Sequence, residues 1–433
     1  MAMDGKELVE KLAKLSQVQS IKDIPQLTHA LFPGTHCPLM GAAMAVGGIK
    51  DSLIVVVGTD ECTYYTKSMT IHSEKFGGID GRCVSVVLDD HDVTFGSAEK
   101  VQESFKEIIE EYRPQCVFLV TTCVIEIIGD DFDAISEGLS EIYGIPVLPV
   151  HTEHFKCEDH LPGLERTITV CAEMMKSCDS DNSVNLLGQR MGDFATTELY
   201  AMLQKAGVKI GLQLPCGCSV DDIKNAAAAK VNIVVNDIAL PLAQKMQEKF
   251  GIPYVYFNKF VIPEKIYEAY KNLFGYLELE LPGELEGLYQ NAREKIEKNK
   301  GELEGITYIY GNTPYAVFEM NCFLSSLGMV PQVIQTNRYT EADEPYAKEI
   351  LQYTDPYVCK AANIAPLQYV YEVLAPYLYL GQEFGNRLRQ KGIAIVHSDR
   401  ASGMLGFEVT GYLLQQLVKS VREAKEYRKE LGL

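Results

Sequence analysis

The chain has no apolar run long enough to span a membrane; its most apolar stretches, such as 53–58, have only strand length. The N-terminal M-A-M-D-G-K-E-L-V-E-K-L-A-K-L-S-Q has the pattern of a short amphipathic helix and no secretory apolar core, so a cytoplasmic protein without a membrane partner is expected. Basic charge is scarce: 40 Lys and Arg stand against 59 Asp and Glu, a formal net charge of -19. That balance excludes a nucleic-acid surface, which needs clustered cations to neutralise phosphates. There is no G-x-x-x-x-G-K-[S/T], hence no P-loop of the chain's own, and no low-complexity segment or short-period repeat.

What remains is an ordinary globular composition, 47% hydrophobic and 23% charged over 433 residues, enough for two or three domains. Short β-branched runs alternate with stretches of helical period, the pattern of parallel sheets with crossover helices. The first unit predicts strands over 52–58, 84–88, 115–121 and 147–150, with helices over 98–112 and 131–143. The second predicts strands over 184–187, 209–214, 231–235 and 254–257 and helices over 196–206 and 240–250. After a charged linker helix at 292–304, the third predicts strands over 306–310, 330–335, 378–380 and 393–396. Its helices fall at 315–327 and 406–431. The expected fold is α/β, three doubly wound Rossmann-like domains with parallel sheets, divided at 1–182, 183–300 and 301–433.

Twelve cysteines in a chain of this kind point away from disulfides. Cys116 in an apolar strand and Cys322 in a helix read as small buried hydrophobes. Others stand at the carboxyl ends of strands, where doubly wound sheets bind ligands. Cys62 comes after the strand 52–58, Cys123 after 115–121, and Cys37 lies in a Gly- and Pro-containing loop, 34–39, ahead of the first strand. Three thiols converging on one sheet edge suit a soft-metal cluster built into the fold, not a local C-x-x-C clip. From spacing alone, three unrelated buried cysteines fit equally well.

The surrounding motifs favour the cluster. C-P-L-M-G-A at 37–42 resembles the first cluster-cysteine loop of the nitrogenase component 1 superfamily. T-T-C-V-I-E-I-I-G-D-D at 121–131 resembles that superfamily's T-T-C-x-x-x-x-I-G-D-D signature, and F-G-S at 95–97 its F-G-G or F-G-S segment. Cys62 falls where the second cysteine of the triad is expected, and the resemblance covers nearly the whole chain. It implies an iron–sulfur cluster held by Cys37, Cys62 and Cys123 at an interface between homologous subunits, in a homo- or heterodimer or a tetramer. The cluster is either a [4Fe–4S] cluster completed by the partner or an eight-iron, P-cluster-like one with six thiolates. It also implies an ATP-hydrolysing iron protein that delivers electrons.

A second metallocluster, which catalytic relatives hold through one Cys and one His, is half supported. I-V-H-S at 395–398 resembles the segment delivering that histidine, here His397, and S-G-M-L-G-F at 402–407 resembles the family's next segment. The cysteine position aligns with Asn236 or Val235, and neither replaces a thiolate. Cys216 and Cys218, in C-G-C after the strand 209–214, are candidates for the missing ligand or for a redox pair. Where the family places a histidine and a glutamine near substrate, this chain has Pro162 to Arg166, so it is not expected to be a dinitrogen-reducing nitrogenase. The run H-T-E-H-F-K-C-E-D-H at 151–160 fits no tetrahedral zinc spacing. It reads either as a proton-delivery segment, with His154 as candidate donor, or as a solvated loop. The function expected is a reductase subunit acting on a substrate bound between the domains. A scaffold for metallocluster assembly and a non-catalytic partner subunit are the alternatives.

Overall fold

Parallel strands with crossover helices do form, in three separate sheets, in the computed structural model of the chain. It describes residues 4–27, 37–71, 82–157, 159–190, 192–311, 316–360 and 364–433. Of the stretches singled out above, 34–36, Glu158 and Tyr315 lie outside the described residues.

Across the first sheet the strands run Cys83–Val87, Ser52–Gly58, Cys116–Thr121, Val147–Val150, all parallel. Ser52–Gly58 and Cys116–Thr121 are buried at every residue, which is why they read as continuous apolar runs without alternation. The chain grows outward from Ser52–Gly58 on one side and then turns back to lay Cys116–Thr121 on the other. The topological switch point therefore falls between these two strands, and ligands in such folds bind at their carboxyl ends. The second sheet repeats the plan in the order Tyr254–Tyr256, Val231–Val234, Val184–Gln189, Ile210–Pro215, with its switch between Val184–Gln189 and Val231–Val234. The third runs Tyr357–Cys359, Val330–Gln335, Thr307–Tyr310, Leu378–Leu380, Ala394–Val396. Its edge is closed by Ala13–Lys14, which pairs antiparallel with Tyr357 and Val358.

The helices match their sequence signals closely. Ala98–Tyr112 buries Val101, Phe105 and Ile108, a three-to-four spacing, and ends where Arg113 turns left-handed. Phe132–Tyr143 is capped by Asp131, whose carboxylate accepts from Ala134 N–H at 3.0 Å.

Several expectations are corrected. The N-terminal helix stops at Glu10, because the chain must straighten to pair with the third sheet. The loop expected at 34–39 gives way at Pro38 to a helix, Pro38–Gly47, that no signal had announced, with Pro at its start and Cys37 as its N-cap. Almost every residue of it is buried, so it has no polar face to give an amphipathic period. The helices Leu161–Val170 and Pro263–Leu277 and the strand Tyr357–Cys359 add to the predicted elements.

Pro38–Gly47 and Leu161–Val170 cross at two glycines. A Cβ on Gly41 would stand 1.9 Å from the His160 carbonyl oxygen, and one on Gly163 1.8 Å from that of Pro38. Only hydrogen fits at either place. These helices also share one apolar cluster with Leu187, Leu212, Leu214 and Val234 of the second sheet, so the first two sheets pack as a unit.

Candidate functional site

Two places collect chemistry-bearing side chains, one at the first sheet and one where the three sheets meet.

At the first sheet, Thr122 and Cys123 end the strand Cys116–Thr121, and Cys123 opens the short helix Cys123–Ile128. Cys62 lies in the first turn of Asp60–Ile71, across the switch point, and accepts from the Thr59 hydroxyl at 3.5 Å. Cys37 caps Pro38–Gly47. All three thiols thus stand at helix N-termini, where free N–H groups and the helix dipole favour negative sulfur. They are near enough to feel one another: the Cys123 thiol is pushed up first by burial, then by Cys62, and to a lesser degree by Cys37, against backbone N–H groups that lower it. All three are half-buried, whereas Cys83, Cys116, Cys171, Cys322 and Cys359 are buried. Among the described residues no three Cys, His, Asp or Glu side chains stand close enough together to hold a metal ion, so these thiols are neighbours and not a closed ligand set.

The motif at 121–131 has a mechanical reading. Thr122 Oγ1 donates to Val57 O at 2.9 Å, tying the two switch-point strands together. Glu126 accepts from the hydroxyls of Thr121 and Thr152, at 3.0 and 2.9 Å, and from the N–H groups of Glu153 and His154. Its carboxylate thereby staples the Cys123 helix to the loop after the fourth strand. Gly129 ends the helix in the left-handed region, and Asp130 accepts from Ser97 N–H at 2.7 Å and Ser97 O–H at 2.5 Å. The F-G-S segment and the G-D-D end are therefore two halves of one contact. A cavity of about 340 Å³ lies beside this helix, lined by Glu126, Asp130, His151, Glu153 and Phe155 among others.

His154 does not line that cavity; it is exposed, with its ring edge-on to Phe155 at 5.7 Å. In the same segment His151 Nε2 lies 3.1 Å from Asp133, and Arg166 reaches back to Thr152 O at 2.6 Å and to Glu153.

The second place, called the cleft below, is where residues beyond the carboxyl ends of strands from the second and third sheets come together with Glu165 from the first sheet's side. Arg190 comes directly after Val184–Gln189 at the second sheet's switch point, and Cys216 directly after Ile210–Pro215, donating to Arg190 O at 3.2 Å. Asn236 sits where the family cysteine aligns, and its side chain accepts from Ile238 N–H at 3.2 Å as a helical cap. Cys218 does not face the cleft. It pairs with Ile49 in a two-stranded ribbon, is 2% exposed, and belongs to the apolar cluster that also holds Cys116 and Cys171. Burial pushes its thiol up to about 12, as expected of a packing residue. His397 comes directly after Ala394–Val396 and is exposed, its carbonyl accepting from the Tyr412 hydroxyl at 3.4 Å.

Charged residues that sequence reasoning missed complete the cleft. Lys259, after Tyr254–Tyr256, is 8% exposed and donates to Ser402 O in the loop beyond His397. Burial, with Arg190 adding to it, brings its ammonium down to about 7. Glu319, on Val317–Ser326, is 5% exposed; its Oε1 has no hydrogen-bond partner among the described residues, and burial raises it to about 7. Glu165 from the first sheet's side and Asp343 from the third are both raised by burial, and both feel Arg338 and Asp237. Position directly after a strand for Arg190, and three residues beyond one for Lys259, was the available signal.

Comparison with known proteins agrees with this fold. The sequence pattern of the family described as Nitrogenase component 1 type Oxidoreductase matches residues 37–422. A nitrogenase iron-molybdenum cofactor biosynthesis protein NifE from Clostridium pasteurianum is 31% identical over 224 residues, 51% of this chain and 49% of that protein. The NifE of Rippkaea orientalis is 24% identical over 331 residues, 73% of this chain and 69% of that one. The nitrogenase molybdenum-iron protein alpha chain of Methanosarcina barkeri is 24% identical over 330 residues, 72% and 62% of the two chains. The chain thus spans about half the length of the first of these relatives. In fold, a solved structure described as nitrogenase Cp1 at pH 6.5 superposes with a TM-score of 0.78 at 14% identity, over 94% of this chain and 96% of the other.

Proposed function

Since the chain belongs to the nitrogenase component 1 type oxidoreductases, we propose that it is a reductase subunit that receives electrons through an iron–sulfur cluster on Cys37, Cys62 and Cys123. The observation that carries this reading is the grouping of three half-buried thiols, each at a helix N-terminus, around the switch point of the first sheet. The donor set fits: thiolates are the ligands such clusters take, and the helix ends offset the charge of an anionic cluster. Bound there, the cluster supplies one-electron transfer.

Three thiols are fewer than an iron–sulfur cluster takes, which leaves ligand positions for a second chain. The surface around them suits one, with Ile127 beside Cys123 71% exposed and Tyr64 beside Cys62 65% exposed. A homologous subunit is the partner proposed for this face, with an ATP-hydrolysing iron protein as electron donor. The cleft is the proposed substrate site. Its own residues position the substrate and hold a proton: Glu319 keeps a carboxylic acid near neutrality, and His397 stands in the loop that runs on to Ser402.

A scaffold for cluster assembly is the second reading, supported by the names of the relatives from Clostridium pasteurianum and Rippkaea orientalis. It shares the thiol site and differs in fate: the cleft ligand is handed on and not turned over.

The test is anaerobic iron and sulfide quantification with EPR, on wild type and Cys123→Ala. About four or eight irons per interface, lost in the variant, is the expected result. Iron that survives Cys123→Ala but is lost with His397→Ala would mark a second cluster. Iron-free protein under strict anaerobiosis would overturn the proposal. Substrate reduction with a cognate iron protein, against ligand transfer without turnover, separates the two readings.

A further inference from the structure

We infer that Glu198 and Glu408 form a clasp of two carboxylates that sets the loop after His397 from the side of the second sheet, so that Glu198 is a positioning residue for that loop. What the loop is positioned for rests on the reading of the cleft as the substrate site; the clasp itself stands on its own hydrogen bonds.

The loop leaves the third sheet at His397, passes through the short helical turn Asp399–Gly403, and ends where the helix Glu408–Leu431 begins. Its last residues do not pack on the sheet they come from. Leu405 and Phe407 are buried in one apolar cluster with Val184, Leu186, Val231 and Val255 of the second sheet. The Phe407 ring stacks on that of Tyr270, with centroids 6.0 Å apart. Gly406, between the two, has a φ of 116°, and a Cβ there would run into Glu198 Oε1 and stand 2.8 Å from the Tyr270 hydroxyl. Glycine is what lets this turn come down onto the carboxylate.

A turn seated in this way leaves N–H groups without backbone acceptors, and carboxylates from both sides take them. Phe407 N–H donates to Glu198 Oε1 at 3.0 Å, and the same oxygen accepts from the Tyr270 hydroxyl at 3.0 Å. In return, Glu408 Oε1 accepts from Leu405 N–H and from Glu198 N–H, each at 3.1 Å. Leu199 N–H, the next along, donates to Leu405 O at 3.2 Å. Glu198 opens the helix Glu198–Lys205, which follows the strand Val184–Gln189, and Glu408 opens the helix Glu408–Leu431. Each helix start thus lends a carboxylate to an N–H group on the other side of the joint, where helix N-termini favour negative charge.

Such a joint gives direction more than strength. The described partners of both carboxylates are N–H and O–H groups, none of them a cation. Burial raises Glu198, against the Phe407 N–H and the Tyr270 hydroxyl that lower it. Two half-buried carboxylates at one joint carry a desolvation cost that an apolar pair would not. What they add is placement, because charge-assisted hydrogen bonds are short and directional. Within the loop, Ala401 N–H donates to Ser398 O and Met404 N–H to Ala401 O. Those bonds shape the turn Asp399–Gly403 and leave its placement to the clasp and to the Lys259 contact at Ser402 O.

Full-length protein, purified anaerobically, is followed by amide hydrogen exchange with residue-resolved mass spectrometry, in wild type, Glu198→Ala, Glu198→Gln, Glu408→Ala and the double alanine variant. Glu198→Ala is expected to speed exchange across 398–407 by about 10-fold or more, the Phe407 amide most of all, with the strand amides of Leu186 and Ile395 unchanged. Glu198→Gln keeps a carbonyl acceptor and should restore most of the protection. Because losing either carboxylate frees the same turn, the double variant should exchange little faster than the single ones. Should Glu198→Ala not fold, Tyr270→Phe removes one donor to Glu198, keeps the ring on Phe407, and should still raise exchange at Phe407. Unchanged exchange across 398–407 would overturn the proposal, since packing alone would then seat the loop. A rise spread evenly over the chain would overturn it as well, because Glu198 would then be structural only. Iron in the same samples reports on the thiol site separately. Iron-free protein with a clasped loop would sink the cluster reading alone, and iron-loaded protein whose loop ignores the substitutions would sink this one alone.

Discussion

Replacing Glu319 by Gln should remove a pH dependence that the fold imposes on itself. Glu319 is 5% exposed, accepts from Val261 N–H, and has an Oε1 without a described partner. Burial is the largest influence on it; Lys265 opposes the rise and Asp237 reinforces it, and the carboxyl moves from 4.5 to about 7. Its folded form therefore keeps a proton that the unfolded chain has already lost between those values. The stabilisation is complete below 4.5 and drains away as pH climbs through about 7. At about 1.4 kcal/mol per pH unit, the whole change is about 3 kcal/mol. Gln has the shape of the protonated acid and does not titrate, so the variant lacks this slope. Urea unfolding of both proteins at pH 5, 6, 7 and 8, monitored by far-UV circular dichroism, gives the difference directly. The variant should gain on wild type steadily with pH and then level off above neutrality. Because Lys259 and the other titrating groups are common to both proteins, their contributions largely cancel. A difference that stays constant across the series would refute the argument.

Two further outcomes concern residues that hold the thiols without touching a metal. Gly163→Ala should cost about 1–3 kcal/mol, because its Cβ meets the Pro38 carbonyl, and should lower iron content by displacing Cys37. Gly138→Ala is its control: that helix position has open space and should gain about 0.5–1 kcal/mol with iron unchanged. Glu126→Ala strips an acceptor from two hydroxyls and two N–H groups; about 2–4 kcal/mol of stability should be lost, and iron with it. Glu126→Gln should recover part of both, and thermal melts beside iron assays check all of these variants.

Much of this architecture was legible in the residues. Ser52–Gly58, Ala98–Tyr112 and Leu240–Phe250 have the bounds that their apolar patterns predict, because parallel strands and amphipathic helices carry the strongest local signals. The grouping of Cys62 and Cys123 came from the rule that ligands collect at strand ends. Pro38–Gly47 was hidden because a helix buried all round has no period to read. Pro263–Leu277 was not hidden: Ile266, Tyr270, Leu273, Phe274 and Leu277 keep helical spacing after a Pro at the start. Cys218 misled because its neighbour Cys216 does reach the cleft, and a sequence does not tell which of two thiols around a glycine turns inward. Arg190, Lys259 and Glu319 depend on three sheets meeting, which is a tertiary fact without a local signature.

Pro38–Gly47 joins the two regions physically. Its first turn starts from Cys37, one of the three thiols. At its far end Gly48 O accepts from Gly217 N–H at 3.1 Å, and a Cβ on Gly48 would stand 1.9 Å from the Pro215 carbonyl oxygen, beside Cys216. Ten residues of helix measure about 15 Å. Clamped at both ends and glycine-locked along its side, the helix acts as a ruler: it fixes the distance between the thiols and the residues around Cys216. Evolution can change what either end holds, but lengthening or tilting this rod would misalign both sites at once.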